Sequence, residues 1–406
     1  MKLAQDVELF SIGRIPAIGN LTTGGIIGLT ESGGALCALL AEGDITKDAA
    51  VASDPGLIKR LESGHYLDDG TDVRTVVSRY KRAYLHVTQR CNLKCRFCYS
   101  DGPHRNTLDD PSLPELHSAL DVLAELGVSR LTISGGEPFL RGDLAAIVQK
   151  AKDCGITNVE IITNGTVAVQ KQLQMMGNNI STVYVSFDGC SENDRAWLRE
   201  SQRFKTLVET LDQIEALNIR PGIIATIHRD NFPGIERYRR LADCHNADLK
   251  LSLLLTKGDY NEMFYLNEVE LDDLGNMEAA QDTSVCLQCK RTCGAGVTTL
   301  SVDADGSVYP CHMLHLKEYC LGNAYRDSAQ AIIASSTASL FRSLCAAQFP
   351  GCSDCSHRVI CGGGCRARAL YSNGSLSSKD PYCSLFSSYY SRITHNLEER
   401  YLDERK

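Results

Sequence analysis

Between residues 83 and 256, short runs of β-branched and apolar residues alternate with longer stretches whose apolar positions recur every three or four residues. The short runs are AYLHVT (83–88), RLTIS (130–134), NVEIIT (158–163), TVYVSF (182–187), PGIIATI (221–227) and DLKLSLLL (248–255). Between them lie the helical patterns PELHSALDVLAELG, DLAAIVQKAKDCG, QKQLQMMGN, FKTLVETLDQIEALN and GIERYRRLADCHN, several ending on Gly or Asn as helix C-termini do. Six strand–helix alternations predict βαβ units with right-handed crossovers and a parallel sheet. Periodicity alone leaves a doubly wound sheet and a partly closed barrel equally open. Both place ligands at the carboxyl ends of the strands. Four unusual loops fall at those ends: CNLKCRFCYS (91–100), SGGEP (134–138), TNGT (163–166) and SFDG (186–189).

The first eighty residues read as a separate small α+β domain, with strands at VELFSIG (7–13) and GGIIGLT (24–30) and short helices at ESGGALCALLAEGD and DPGLIKRLESGHYL. A packing role and a peptide-docking role are both open for it. The expected division is 1–80, a core at 81–256, a linker at 257–285 and a C-terminal domain at 286–406.

Composition changes the picture at one point. The chain has 18 cysteines among 406 residues, no secretory signal and no run of eighteen apolar residues. A cytoplasmic protein is expected, without a membrane span, and its thiols are then metal ligands rather than disulfides. A net charge of −8 and the lack of a long basic run argue against a nucleic-acid partner. Cys37, Cys154, Cys190 and Cys244 stand singly and are expected as buried small hydrophobes. The others fall at 91–98 and 286–383.

Three thiolates on one loop, Cys91, Cys95 and Cys98, can hold three irons of a 4Fe–4S cubane and leave the fourth iron exchangeable. Zinc would need a fourth ligand, for which only His104 offers itself nearby. The CxxxCxxC spacing with Phe97 before its last cysteine, followed by GGEP at 135–138, resembles the signature of the radical S-adenosylmethionine (radical SAM) enzymes. That resemblance implies a partial (β/α)6 barrel and a fourth iron chelated by the amino and carboxylate groups of SAM. It places Gly135, Gly136 and Glu137 at the methionine moiety, Thr163 and Asn164 at the methionine or ribose, and Ser186 and Asp188 at the ribose. Arg199 would pair with the SAM carboxylate, although the family's usual His-Asp pair is Asn193-Asp194 here. Tyr99 would pack on the adenine.

Downstream, Cys293 is followed after twelve residues by Gly306 and after four more by Cys311; Cys352-x2-Cys355-x5-Cys361-x3-Cys365 and Cys383 complete the series. This resembles the SPASM domain, which carries two auxiliary 4Fe–4S clusters, for three clusters in all. By resemblance, one would use Cys293, Cys311, Cys365 and either Cys286 or Cys289. The other would use Cys352, Cys355, Cys361 and Cys383. A zinc ribbon of Cys352, Cys355, Cys361 and Cys365 would strand the remaining cysteines. Cys320 and Cys345 are expected as structural thiols, and TTLSVDADGSVYP as a hairpin around Asp305-Gly306.

SPASM proteins similar to this one act mainly on peptides or proteins. Sulfatase maturases carry an aspartate after the cysteine equivalent to Cys311; His312 stands here, a candidate base. Residues 1–80 resemble the PqqD-like winged-helix module that docks leader peptides by strand addition. The expectation is therefore an anaerobic radical SAM/SPASM oxidoreductase maturing a ribosomally made precursor peptide with a leader, supplied by a reductant such as flavodoxin or ferredoxin. A thioether, another crosslink or side-chain oxidation all remain open. The alternatives are a sulfatase-type maturase, a small-molecule SPASM oxidoreductase such as a haem-pathway enzyme, and a non-catalytic iron–sulfur electron-transfer scaffold.

Overall fold

A computed structural model of the chain describes residues 1–70, 80–102, 104–194, 198–199, 203–257, 263–281 and 287–403. They form two compact units: residues 78–266 with 294–343, and residues 1–77 with 267–293 and 344–406. Neither is a continuous segment, so both cut across the expected boundaries.

The larger unit is built on nine strands. Six form a parallel series, β4 (Arg82–His86), β5 (Arg130–Ser134), β6 (Asn158–Thr163), β7 (Thr182–Phe187), β8 (Arg220–Ile227) and β9 (Asp248–Leu253), each paired with the next. All six stand where the hydrophobic runs place them; β5 and β7 are buried on both faces, as helix-covered parallel strands are, whereas β9 alternates partly buried leucines with Asp248, Lys250 and Ser252. Helices Leu113–Glu125, Leu144–Asp153, Gln170–Met176, Phe204–Ala216 and Ile235–Cys244 connect them. The first is set by a capping box, Ser112 accepting from the Glu115 N–H while the Glu115 carboxylate accepts from Ser112. Its Leu116, Leu120 and Leu123 are fully buried, each worth about 1.5–3 kcal/mol of transfer free energy.

The DADG hairpin is present, as β10 (Thr299–Val302) and β11 (Ser307–Tyr309), with β12 (Gly322–Asn323) beside it. Its placement is not readable from local pattern. β10 pairs in parallel with β4, Ser301 opposite Tyr84, and so extends the sheet on the side away from β5.

In the smaller unit, β1 (Val7–Ile12), β2 (Ile15–Asn20) and β3 (Ile26–Gly28) form an antiparallel sheet with helices Glu31–Glu42, Lys47–Ser53 and Pro55–Ser63. Ile18, Leu36, Cys37, Leu40, Leu57, Ile58 and Leu61 make its core. β2 and the middle helix were not expected. Within the 257–285 stretch read as a linker lies a helix, Glu268–Gln281, packed on the C-terminal helix Cys383–Asp403 closely enough that a side chain at Gly275 would strike the Leu385 carbonyl. No helix among the described residues is long and apolar enough to cross a membrane.

Of the four single cysteines, only Cys37 is buried. Cys154 and Cys190 are half-buried and Cys244 is exposed, which corrects the expectation for those three. The Cys154 thiol instead donates to Asp121 at 3.2 Å.

Candidate functional site

The loop after β4 is fixed by its own polar residues. The Cys91 N–H donates to Asn106 Oδ1 at 2.7 Å, the Asn106 N–H to the Gln89 carbonyl, and Arg90 pairs with Asp110. The Phe97 backbone is left-handed at φ 54°, which turns CRFC back on itself, and its ring meets Phe264 at 5.7 Å. The three thiols are electrostatically coupled. Burial pushes the Cys95 thiol up to about 11, countered by the Arg199 guanidinium and raised further by Cys98 and Cys91. Loading iron must therefore displace protons from these sulfurs. His104 is exposed.

The GGEP loop is locked beneath this one. The Gly136 N–H donates to the Thr88 carbonyl and the Glu137 N–H to the Arg90 carbonyl, both at 2.8 Å. A Cβ at Gly135, where φ is 122°, would strike the Thr88 carbonyl, and one at Gly136 the Arg90 carbonyl. The glycines thus admit the neighbouring loop's backbone, a role the sequence did not suggest. Glu137 is 1% exposed, and its carboxylate accepts from Thr163 Oγ1 (2.8 Å), the Asn164 N–H (2.7 Å) and the Phe139 N–H (3.1 Å). Burial still pushes it up to about 7. The Asn164 carboxamide reaches Asn92 at 2.9 Å and lies 3.9 Å from the Cys91 sulfur. The second and third loops are therefore joined through one buried carboxylate.

At the end of β7, Ser186 and Asp188 are buried. Asp188 Oδ2 accepts from the Leu198 and Arg199 N–H groups, and burial raises its pKa. Its Oδ1 is buried without a partner, as is Arg199 Nη1. Unpaired buried polar atoms are costly, so both fit positions completed by a polar ligand such as a ribose hydroxyl or a carboxylate. With three free thiols beside them, the residues present fit a SAM-chelated cluster.

A second polar group gathers where β10 pairs with β4. Tyr84 and His86 share one face of β4. The register that sets Ser301 opposite Tyr84 brings Asp303 beside His86, Nδ1 to Oδ1 at 3.1 Å. Gln89 Nε2 (2.6 Å) and the Ala304 N–H (2.8 Å) also donate to Asp303 Oδ1, and His315 Nδ1 lies 3.5 Å from Oδ2. His86 Nε2 is buried and unpartnered. His312 stacks on Tyr84 at 3.9 Å and meets Tyr99 edge-on at 5.3 Å; burial pushes it down to about 3. The Tyr99 hydroxyl is held by Ser134 Oγ at 2.5 Å. Burial also lowers the Lys257 pKa, against the opposing pull of Cys98, Asp101 and Asp303. Of this group only Tyr99 and His312 stood out in the sequence. His86 and Asp303 carry no local motif, and only strand pairing joins them.

In the smaller unit, Cys352, Cys355, Cys361 and Cys383 line a single cavity with Gly351, Gly363 and Gly364, and Cys365 is not among its lining residues. The structure thus gathers the expected four thiols rather than the zinc-ribbon set. The Cys289 thiol is buried, donates to the Asn20 carbonyl at 2.8 Å and the Gly25 carbonyl at 3.3 Å, and is pushed up to about 12 by burial. Cys286 lies outside the described residues. Cys293 and Cys365 belong to this unit and Cys311 to the other. Cys320 donates to the Gly322 carbonyl, as suits a structural thiol. Because Cys289 is already engaged, Cys289→Ser should keep full iron, whereas Cys286→Ala should lose about four irons, one cubane's complement. Iron assay of the two reconstituted variants checks this.

A three-thiolate loop locked to a Gly-Gly-Glu loop at the carboxyl ends of a mostly parallel α/β sheet has the donor set of an iron–sulfur site. Residues 85–242 match the radical SAM superfamily and residues 293–356 an iron–sulfur cluster-binding domain, SPASM. The chain thus carries a radical SAM domain and a SPASM domain. Among curated proteins it is similar to the mycofactocin maturase MftC of Mycobacterium ulcerans, 25% identical over 73% of this chain and 86% of that protein. It is likewise similar to the pre-heme d1 synthase of Dinoroseobacter shibae, 24% identical over 79% and 91%. Among solved structures, Streptococcus suis SuiB bound to its precursor peptide SuiA shares the fold, with a TM-score of 0.59 at 16% identity over 94% of this chain and 99% of that one.

Proposed function

We propose that this radical SAM enzyme is a maturase of a ribosomally made precursor peptide, forming a thioether or other crosslink. The observation that carries this reading is the likeness to MftC, which spans most of both chains, radical SAM and SPASM parts together. Bound SAM, cleaved at a reduced cluster, supplies a 5′-deoxyadenosyl radical that removes a hydrogen atom from the substrate. Cys91, Cys95 and Cys98 would hold that cluster. Asp188 Oδ1 and Ser186 would receive ribose hydroxyls, and Tyr99, fixed by Ser134, would wall the adenine. Glu137 keeps the methionine end rigid by tying its loop to Thr163 and Asn164. Closing a bond by oxidation also releases a proton. Asp303 accepts the Nδ1 proton of His86 and so leaves Nε2 as the free acceptor, with His312 a second imidazole in the same polar group. Two auxiliary clusters, on Cys352/Cys355/Cys361/Cys383 and on Cys293/Cys311/Cys365 with Cys286, would take up the electron. Residues 1–80 would hold the leader, and a flavodoxin or ferredoxin would supply reducing equivalents.

The likeness to pre-heme d1 synthase favours a second reading, a small-molecule substrate. Anaerobic incubation with SAM, dithionite and the product of any short Cys- or aromatic-rich open reading frame found beside the gene separates the two. A maturase yields 5′-deoxyadenosine together with a peptide lighter by two hydrogens. Undiminished 5′-deoxyadenosine with an unchanged peptide mass contradicts the peptide reading.

A further inference from the structure

We propose that Arg105 is the guanidinium that ties the cluster to the amino-acid end of SAM, Nη2 donating to the Cys98 sulfur and Nη1 to the SAM carboxylate. Its side chain is 14% exposed, and Nη2 lies 3.1 Å from Cys98 Sγ and also donates to Ser100 Oγ. Ser100 Oγ in turn donates to the Gly135 carbonyl at 2.7 Å, so the arginine is anchored to the GGEP loop through one hydroxyl. Nη1 is buried and has no partner. It lies against Gly136, where an added Cβ would come within 3.0 Å of it. Asp101 pairs with its Nε rather than with the unpaired nitrogen, at 3.8 Å, and is 66% exposed.

A fork donor with one arm on a thiolate and the other unpaired beside the Gly-Gly turn is complementary to a carboxylate bound at the open iron. Arg199 occupies a different place. Its N–H serves Asp188 and its guanidinium acts on Cys95, so it approaches the thiols from the loop after β7 and on a different sulfur from Arg105. The arm on Cys98 has a second consequence. An N–H···S bond and a fixed positive charge favour the reduced cluster, so Arg105 should also raise the cluster potential.

The test uses the reconstituted holoenzyme without any peptide, so it is independent of the maturase reading. Arg105→Gln should weaken SAM binding about tenfold or more at unchanged iron content, while decarboxylated SAM binds parent and variant alike. Arg105→Lys, which keeps the charge but loses the fork, should fall between. The SAM-perturbed electron paramagnetic resonance signal of Arg105→Gln should titrate at a more negative potential than in the parent. Should Arg105→Gln lose iron, the lysine variant decides: a loss for SAM larger than for decarboxylated SAM supports the proposal. Equal losses for the two ligands, or none for either, overturn it.

Discussion

Replacing Cys91, Cys95 and Cys98 together by Ala should remove about four of roughly twelve irons per chain and abolish reductive cleavage of SAM. The reason lies in how the loop is held. The backbone that presents these thiols is pinned by Asn106 and by two hydrogen bonds from the GGEP loop, none of which uses a sulfur. Removing the sulfurs therefore leaves the scaffold in place and takes only the metal. The thiols that line the Cys352/Cys355/Cys361/Cys383 cavity lie in a different compact unit and are untouched. Iron and sulfide assays with absorption spectra of the triple variant check this. A loss spread over both cysteine regions would contradict the ligand assignment.

Asp380→Ala should be the most destabilising single change near the auxiliary cavity, by about 3–5 kcal/mol. Asp380 is 2% exposed and takes a two-pronged pair from Arg368, at 2.9 Å and 2.8 Å, which is itself buried. The same carboxylate accepts from the Cys365 N–H at 2.5 Å and the Tyr382 N–H at 2.9 Å, so it fixes the backbone on both sides of the segment between Cys365 and Cys383. Its removal leaves a buried guanidinium without a counter-charge and two backbone donors unpaired. Thermal unfolding of the reconstituted protein should fall sharply, with iron lost from the Cys352/Cys355/Cys361/Cys383 set. Asp380→Asn keeps one acceptor oxygen, enough for only one of the two backbone donors, and loses the charge, and should fall in between. An unfolding temperature within a degree or two of the parent would show that Asp380 does not hold this segment.

What the chain reveals by itself follows from which interactions are local. β5, β6 and β7 are readable to the residue, because buried parallel strands are continuous apolar runs bounded by polar turns. β2 is lost in IPAIGN, where Pro and Gly mask a strand whose Ala17 and Ile18 are buried. The helix Glu268–Gln281 is acidic and weakly patterned; only its packing on Cys383–Asp403 explains it. The cysteine loop and GGEP carry their own spacing, so the centre of the site is legible. Arg105 and His86 are not. One stands in a turn-rich loop that reads as solvent-facing, and the other acquires its partner only when β10 pairs with β4.

On the proposed function, the Cys91/Cys95/Cys98 loop would hold a cluster whose open iron binds SAM and supplies the electron that cleaves it. The most direct test is 5′-deoxyadenosine formation by the fully iron-loaded protein under strictly anaerobic reduction. The parent should form 5′-deoxyadenosine and methionine in equal amounts, and the triple Cys→Ala variant neither. Failure of the fully loaded parent to form 5′-deoxyadenosine would contradict this reading.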